Sequence, residues 1–394
     1  MKQLLIIVAI LAVAFVGYTG YRSIVEEPPD FLIKLFTKTP PPLALPAGDV
    51  APFDVPPGFA LHIYSRDVPG ARVMTRDSSG TMLVSLTQGG KVVALPDENG
   101  DGKADSTVTV LQDLNKPHGL AVICRDECLL YVAEEDALTS YTYDAEKMSA
   151  TDAKQLMTFP AGRGHFTRTI LQHPDNERLL ISVGSSCNVC YEEHIMRASV
   201  VAYHMTTGAT SIFASGLRNT VFMALHPTTG DVWGTDNGRD LIGDDIPPDE
   251  VNIIDEGGNY GWPICYGQKI HDTDFDTKQY FRDPCFNTIA PEINLPAHSA
   301  ALGIAFIPEE GWPEEYWHDA LVAFHGSWNR STPTGYKVVR IHDGVLSDFI
   351  TGFLTGDNED DALGRPAGVM TEPGGVAYIS DDRAGAIYRL SLTE

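Results

Sequence analysis

Six times along the 394-residue chain a short apolar strand runs into a polar turn and returns as a second β-rich strand. The repeats are "ARVMTRDSSGTMLVSL", "HGLAVICRDECLLYVAE", "RTILQHPDNERLLISVG", "VFMALHPTTGDVWGTDNG", "LGIAFIPEEGWPEEYWHDALVAFHG" and "AGVMTEPGGVAYISDD", beginning near residues 72, 118, 168, 221, 302 and 367. Several are followed by a third strand, as in "GKVVALPD", "SVVAYHM", "GYKVVRIHD" and "GAIYRLSL". Strands of β-branched and apolar residues, cut by Gly, Asn, Asp and Pro turns and recurring roughly every fifty residues, specify radial β architecture. Six such units of about four strands predict an all-β, six-bladed β-propeller over residues 58–394. No amphipathic helix longer than two or three turns interrupts the pattern. The wider spacing between the fourth and fifth units requires an excursion on one face, where function tends to sit.

The chain before the repeats is different. Met1 and Lys2 precede an apolar run from Leu4 to Tyr18, short for a membrane span of ~20 residues. Its one A-x-A pattern, Ala12 to Ala14, lies inside the run. Residues 1–20 are therefore read as a signal peptide or an N-terminal membrane anchor, with the uncleaved anchor favoured. Either reading exports the body, and a periplasmic location is expected. Residues 21–57, with "TPPPLALPAG" and "DVPPG", read as a proline-rich tether.

A formal net charge of −25 repels phosphate backbones and anionic lipids, so nucleic acid is not an expected partner. Six cysteines in an exported chain suggest disulfides, paired with their near neighbours: Cys124 with Cys128, Cys187 with Cys190, and Cys265 with Cys285. For "CNVC" a haem or metal site is the competing reading. Tyr191 stands where c-type haem attachment needs histidine, and no second C-x-x-C completes a zinc site.

Three stretches bear chemistry. "GRGHFTRTI" sets His165 between two arginines ahead of the third unit. "GLRN" places Arg218 and Asn219 at a loop-to-strand junction, where a salt bridge and a turn are the plainer roles. "DENGDGKAD" offers Asp97, Asn99, Asp101 and Gly102 in the opening pattern of an EF-hand loop. Val108 occupies the twelfth position instead of Glu and no helices flank the loop. With Asp105 at the ninth position it is either a structural calcium site or an acidic inter-strand turn.

"RN…TDNGRD…PPDEVNII", "GGNYGWP", "HGSWNRSTPTGYKVVRI" and "GRPAGV…EPGGVAYISDDRAGAIYRL" together resemble the glucose/sorbosone dehydrogenase family. These are soluble quinoprotein six-bladed propellers that use pyrroloquinoline quinone (PQQ) and calcium. The likeness covers roughly residues 58–394 and looks strongest toward the sorbosone-dehydrogenase-like and pyranose dehydrogenase branch. It implies oxidation of a sugar or aldehyde, with His165 as the base that takes the hydroxyl proton while hydride passes to the quinone. An unperturbed imidazole pKa near working pH suits that task. Arg218 would stabilise the developing oxyanion, and Asn219 would touch the cofactor. The backbone carbonyls of Gly238 and Arg239 would bind the PQQ-linked calcium. Arg72, His298, Trp328, Asn329 and Arg365 are further candidates for cofactor contact, Trp328 by stacking; a core or capping role is the alternative for each. With no haem motif, electrons would leave to an external cytochrome or membrane quinone.

Two departures stand out. Arg239 replaces the proline of the glucose-oxidising relatives. Ser185, in "ISVGSSCNVC", stands where many relatives have the aspartate that orients the histidine, so Glu192 or Glu193 would have to substitute or the base would be weaker. Two other functions stay open: a calcium-dependent lactonase or esterase, and a non-catalytic propeller that binds a glycan or protein.

Overall fold

The computed structural model describes residues 44–393. The N-terminal apolar segment and most of the expected tether lie outside them. Among the described residues no helix is long and apolar enough to cross a membrane, and helical structure is confined to two single 3₁₀ turns, Glu314–Tyr316 and Glu359–Asp361.

Six antiparallel four-stranded meanders, one per repeat, make up the body. Their inner strands are Ala71–Arg76, Gly119–Cys124, Ile170–Gln172, Thr220–Leu225, Ala301–Phe306 and Pro366–Glu372, close to the positions expected from sequence. Each is followed in register by the other strands of its meander, as when Gly119–Cys124 pairs residue for residue with Cys128–Ala133. We call the sheets blades 1 to 6 in this order. Blade 6 is completed by the first strand of the body: Phe59–Ser65 pairs antiparallel with Ala386–Leu392. The ring is thereby closed, and that edge is covered.

The core lies between neighbouring blades. Tyr131, Ala133 and Leu138 of blade 2 pack on Ile170, Leu179, Ile181 and Val201 of blade 3. Blades 6 and 1 share a similar layer of Tyr64, Met74, Met82, Val84, Tyr378 and Ile387. This alternation of apolar faces is what the period-2 strands supply.

The folded body begins earlier than residue 58. Ala51 donates to Leu61 O at 3.0 Å, Asp54 and Thr351 exchange backbone hydrogen bonds, and Phe53 is buried. Its ring stacks on Phe353 at 3.9 Å and meets Tyr388 edge-on at 5.1 Å. The prolines around it masked an anchoring aromatic.

The expected excursion is present. It leaves the second-to-third strand turn of blade 4 and also occupies the connection from Asp249–Ile253 to the outer strand Ile293–Leu295. It adds Gly258–Asn259 in parallel to the edge of blade 3 and folds a small hairpin, Cys265–Tyr266 with Ile270–His271. All three disulfides form as near-neighbour pairs: Cys124–Cys128, Cys187–Cys190 and Cys265–Cys285.

Candidate active site

In a four-stranded meander the entry to the inner strand and the turn from second to third strand fall at the same end. Six blades therefore bring twelve connections to one face around the axis. The entries deliver Arg72, His165, Arg218 with Asn219, His298 and Arg365; the turns deliver Gly238, Asp240 and the stretch from His325 to Asn329. All of these line one cavity of about 380 Å³. Every residue expected to act in catalysis or cofactor binding (Arg72, His165, Arg218, Asn219, His298, Trp328, Asn329, Arg365) is in its wall.

His165 is half-buried, and its orientation is fixed from one side. Nδ1 lies 3.0 Å from Ser185 Oγ and 3.2 Å from Ser185 O. The Ser185 hydroxyl donates to Cys187 O at 2.7 Å, so its oxygen can only accept from the ring. The imidazole thus carries its proton on Nδ1 and a lone pair on Nε2, which has no hydrogen-bond partner among the described residues. Burial, then the positive charge of Arg218, with Arg197 and Arg168 adding to it, push its pKa down to about 3. Neither glutamate considered in its place reaches the ring: Glu192 instead accepts from the N–H and hydroxyl of Ser186, both at 2.7 Å.

Arg218 is buried and held by four of its five N–H groups. Nε donates to Asn188 O at 2.9 Å, Nη1 to Asn237 O at 3.1 Å, and Nη2 to Asn188 Oδ1 and Asp240 Oδ2, both at 3.0 Å. One Nη1 N–H remains uncommitted. Burial depresses its pKa and the neighbouring carboxylates, Asp240 first, oppose that. Asp240 also accepts from Asn329 Nδ2 at 2.8 Å, leaving Asn329 Oδ1 buried without a partner.

The other cations are tethered in the same manner. Arg72 pairs with Asp382 at 2.7 Å, and His325 Nε2 donates to the second oxygen of that carboxylate at 2.9 Å. Burial favours the neutral acid, yet Arg72 and His325 outweigh it and hold Asp382 well below the usual carboxylate range. Arg365 donates from Nε to His325 O at 3.0 Å and from Nη2 to Gly326 O and Ser327 O, leaving Nη1 free. His298 adopts φ 61° and donates from Nε2 to Gly243 O at 2.8 Å. Trp328 sits on the rim, 61% exposed.

Of the two residues whose carbonyls were expected to bind metal, Gly238 lines the cavity, and the Arg239 side chain leaves it. Gly238 is steadied by Asp249, whose carboxylate accepts from the N–H groups of Gly238 at 2.9 Å and Ala300 at 2.8 Å. Arg239 points behind the site to Asp272 at 2.6 Å, into a separate cavity of about 20 Å³ shared with Glu250 and Trp262. Arg168 is fully buried and serves structure, donating to His165 O, Thr167 O and Pro160 O. In "DENGDGKAD" the carboxylates of Asp97, Asp101 and Asp105 accept backbone N–H groups of Gly102, Lys103 and Glu98 at 2.7–3.0 Å. Asn99 Oδ1 accepts from Asp101 N at 2.8 Å. These side chains close the loop on its own backbone. Among the described residues, three acidic, histidine or cysteine ligand atoms come within 4.8 Å only at Cys187, Cys190 and Glu192, and the two cysteines form a disulfide.

Asn188, Asp240, His325 and Asp382 were not singled out from sequence. Asn188 lies inside "CNVC" and Asp240 inside "TDNGRD", so the motifs were visible while the residues that tie them together were not.

The fold and its mouth define a six-bladed propeller with a cationic, histidine-bearing axial site. The chain belongs to the TrAA12-like family, whose model matches residues 53–393. It is 28% identical over 357 residues to an uncharacterized protein of Borreliella burgdorferi, covering 85% of this chain and 90% of that one. It is 25% identical over 384 residues to a pyrroloquinoline quinone-dependent pyranose dehydrogenase of Coprinopsis cinerea, covering 80% of this chain. The chain spans only 51% of that enzyme's length. Among solved structures, the calcium structure of a Trichoderma reesei carbohydrate-active enzyme of family AA12 superposes with a TM-score of 0.75 at 24% identity. That match covers 89% of this chain and 99% of the other, a likeness of fold.

Proposed function

We propose that the axial cavity binds PQQ with calcium, and that the protein there oxidises a sugar, an aldose or a sorbosone-like aldehyde, passing electrons to an external acceptor such as a cytochrome or membrane quinone. One observation carries this reading. Arg72, Arg218 and Arg365 converge on one cavity wall, each with uncommitted N–H groups, in a chain of formal net charge −25. A ligand rich in carboxylates explains that arrangement, because charge-assisted hydrogen bonds to guanidinium are strong and directional. The names of the pyranose dehydrogenase and AA12 relatives support the same cofactor and substrate class.

The residues fit the group. The cavity's volume lies in the range of cofactor sites. Asn329 Oδ1 is a buried acceptor awaiting a donor or cation, and the Gly238 carbonyl would offer the hard oxygen that calcium prefers. Arg72, Arg365, Asn219 and His298 would hold the cofactor, and Trp328 would present an indole face at the rim. When bound, the quinone supplies a two-electron acceptor for the substrate's hydride.

His165 then acts as base. Its Nε2 lone pair takes the sugar hydroxyl proton while Nδ1–H stays anchored on Ser185. The depressed pKa keeps the ring neutral at working pH but makes it a weaker base than a free imidazole, so its fixed placement has to supply more of the rate. Arg218 keeps a positive charge and one N–H beside the site, which stabilises negative charge developing on a neighbouring oxygen. The lactonase alternative draws no support from this wall: its carboxylates, Asp240 and Asp249, are engaged with Arg218, Asn329 and backbone N–H groups. Six paired cysteines accord with export to an oxidising periplasm.

A spectral titration with PQQ, with and without calcium, followed by dye reduction with a panel of aldoses and aldehydes, tests the proposal. Calcium-dependent binding and turnover are expected. His165→Ala should keep binding and lose turnover by about 10²–10⁴-fold. No PQQ binding together with no turnover overturns it; binding with equal behaviour of H165A and parent points to a non-catalytic glycan- or protein-binding propeller.

A further inference from the structure

Resting on that reading, we propose that the four-residue loop closed by the Cys187–Cys190 disulfide is the positioning device for both His165 and Arg218. It takes over the orienting half of what a carboxylate does in an aspartate–histidine pair.

One side of the loop reaches the base. The Cys187 carbonyl accepts the Ser185 hydroxyl proton at 2.7 Å, which turns the Ser185 oxygen into an obligate acceptor 3.0 Å from His165 Nδ1. The proton on Nδ1 and the lone pair on Nε2 follow from that direction of donation. The Ser185 carbonyl, 3.2 Å from Nδ1, is a second acceptor for the same N–H. Without the Cys187 carbonyl to take its proton, the serine hydroxyl could turn and donate to Nδ1, leaving that longer contact to hold the tautomer alone. The other side reaches the arginine. Asn188, the next residue, accepts Arg218 Nε on its carbonyl at 2.9 Å and Arg218 Nη2 on Oδ1 at 3.0 Å. The same Oδ1 accepts Asp240 N at 2.7 Å, and Asn188 Nδ2 returns to Asp240 O at 3.0 Å.

These contacts come from main-chain and side-chain atoms of consecutive residues in a segment with no sheet hydrogen bonds of its own. Glu192 adds a brace by accepting both donors of Ser186. A short loop without a ladder has to be fixed by another constraint, and the Cys187–Cys190 bond provides it. A carbonyl at the end of the relay, in place of a carboxylate, also leaves the imidazolium without a counter-charge. The base is held by direction of hydrogen bonding alone, in keeping with its depressed pKa.

The test reads His165 directly. In the apo-protein, ¹⁵N–¹H correlation spectra should show His165 as the Nδ1–H tautomer. In Ser185→Ala, where only the 3.2 Å contact to the backbone carbonyl remains, and in the Cys187→Ser/Cys190→Ser double variant, the Nδ1–H form should lose its dominance. With PQQ, calcium and a sugar, both should lose kcat by about 10- to 100-fold with a smaller change in KM, the scale expected for misplacement of a reacting group. Ser185→Asp should restore the Nδ1–H tautomer and most of kcat, and should introduce an acid limb into the pH profile as the imidazolium gains a counter-charge. Asn188→Ala should lower kcat with the His165 tautomer unchanged, separating the two arms. An unchanged tautomer and pH profile in folded S185A and double-variant proteins overturn the proposal. If the double variant fails to fold, S185A and N188A decide. The tautomer is measured without cofactor, so failure of the sugar-oxidation reading, seen as absent turnover in the parent, is distinguishable from failure of this one.

Discussion

At position 185 a serine occupies the place where the resemblance leads one to expect an aspartate, and the site is built around the consequence. Burial keeps three axial histidines neutral: His165 and His118, which touch no carboxylate, are pushed down to about 3, and His325 to about 4 in spite of its contact with Asp382. For His118 burial is the first cause and the nearby positive charge of Arg72 the second. The ring is fully buried, its Nε2 has no partner, and it stacks edge-on to Phe222 at 5.4 Å. The sign of its linkage follows. Between pH 6.5 and about 3 the unfolded chain binds a proton that the folded ring refuses, so this contribution to stability is full above 6.5 and lost as pH falls through that window. His118→Gln should therefore flatten the decline of Tm between pH 6.5 and 4 relative to the parent. Calorimetry at several pH values would show it; an equal slope in both proteins would mean that His118 is protonated in the fold.

At the scale of strands, three glycines explain how the inner strands crowd the axis. A Cβ at Gly119 of blade 2 would lie 2.3 Å from Arg168 O, entering blade 3. One at Gly303 of blade 5 would lie 2.5 Å from Val369 N in blade 6, and one at Gly368 of blade 6 would lie 2.4 Å from Arg72 O in blade 1. In each case the obstacle is backbone, which cannot swing aside. Gly368→Ala should lower stability by about 1–3 kcal/mol or more, the usual cost of overpacking, and should also disturb Arg72, whose carbonyl it strikes. Denaturant unfolding of the variant checks this, and an unchanged midpoint would contradict it. The repeated hairpins made these strands, their order and their starts readable in the sequence, because period-2 alternation and Gly, Asn and Asp turns are local signals. The site was readable in part for a different reason. A propeller sends every strand entry to the axis, so Arg72, His165, Arg218, His298 and Arg365 were bound to meet once six blades were recognised. Their tethers were not readable. Asn188 with Asp240, and Asp382 with His325, join segments far apart in the chain through one or two side-chain hydrogen bonds that leave no periodic trace. Phe53 was hidden likewise, as an isolated aromatic whose partners, Phe353 and Tyr388, come from the opposite end of the chain.

For the molecule as a whole, charge sets how partners arrive. A body of formal net charge −25 surrounds a mouth whose own lining is cationic. Encounter is governed by the long-range field, whereas binding is governed by the wall. If the proposed turnover is measured with artificial electron acceptors, a cationic mediator should react faster at low salt and slow as salt is added. An anionic one should show the reverse, with the divergence fading once the screening length falls below about 10 Å, near 0.1 M salt. Identical salt responses for the two mediators would show that the acceptor docks where the net field is not felt.

The closure of blade 6 carries a consequence for how the protein comes into being. Phe59–Ser65 is among the first parts of the body to be synthesised, and its partner Ala386–Leu392 is the last. Until that partner emerges, the first strand has no sheet to join, and Phe53 lacks both Phe353 and Tyr388. Blades 1 to 5 can form in order as local meanders, but the ring and its axial site cannot close until Ala386–Leu392 has been made. Closure of the ring therefore waits on one event, the pairing of Phe59–Ser65 with Ala386–Leu392. Any ligand of the axial cavity must enter a completed molecule or wait beside an open one.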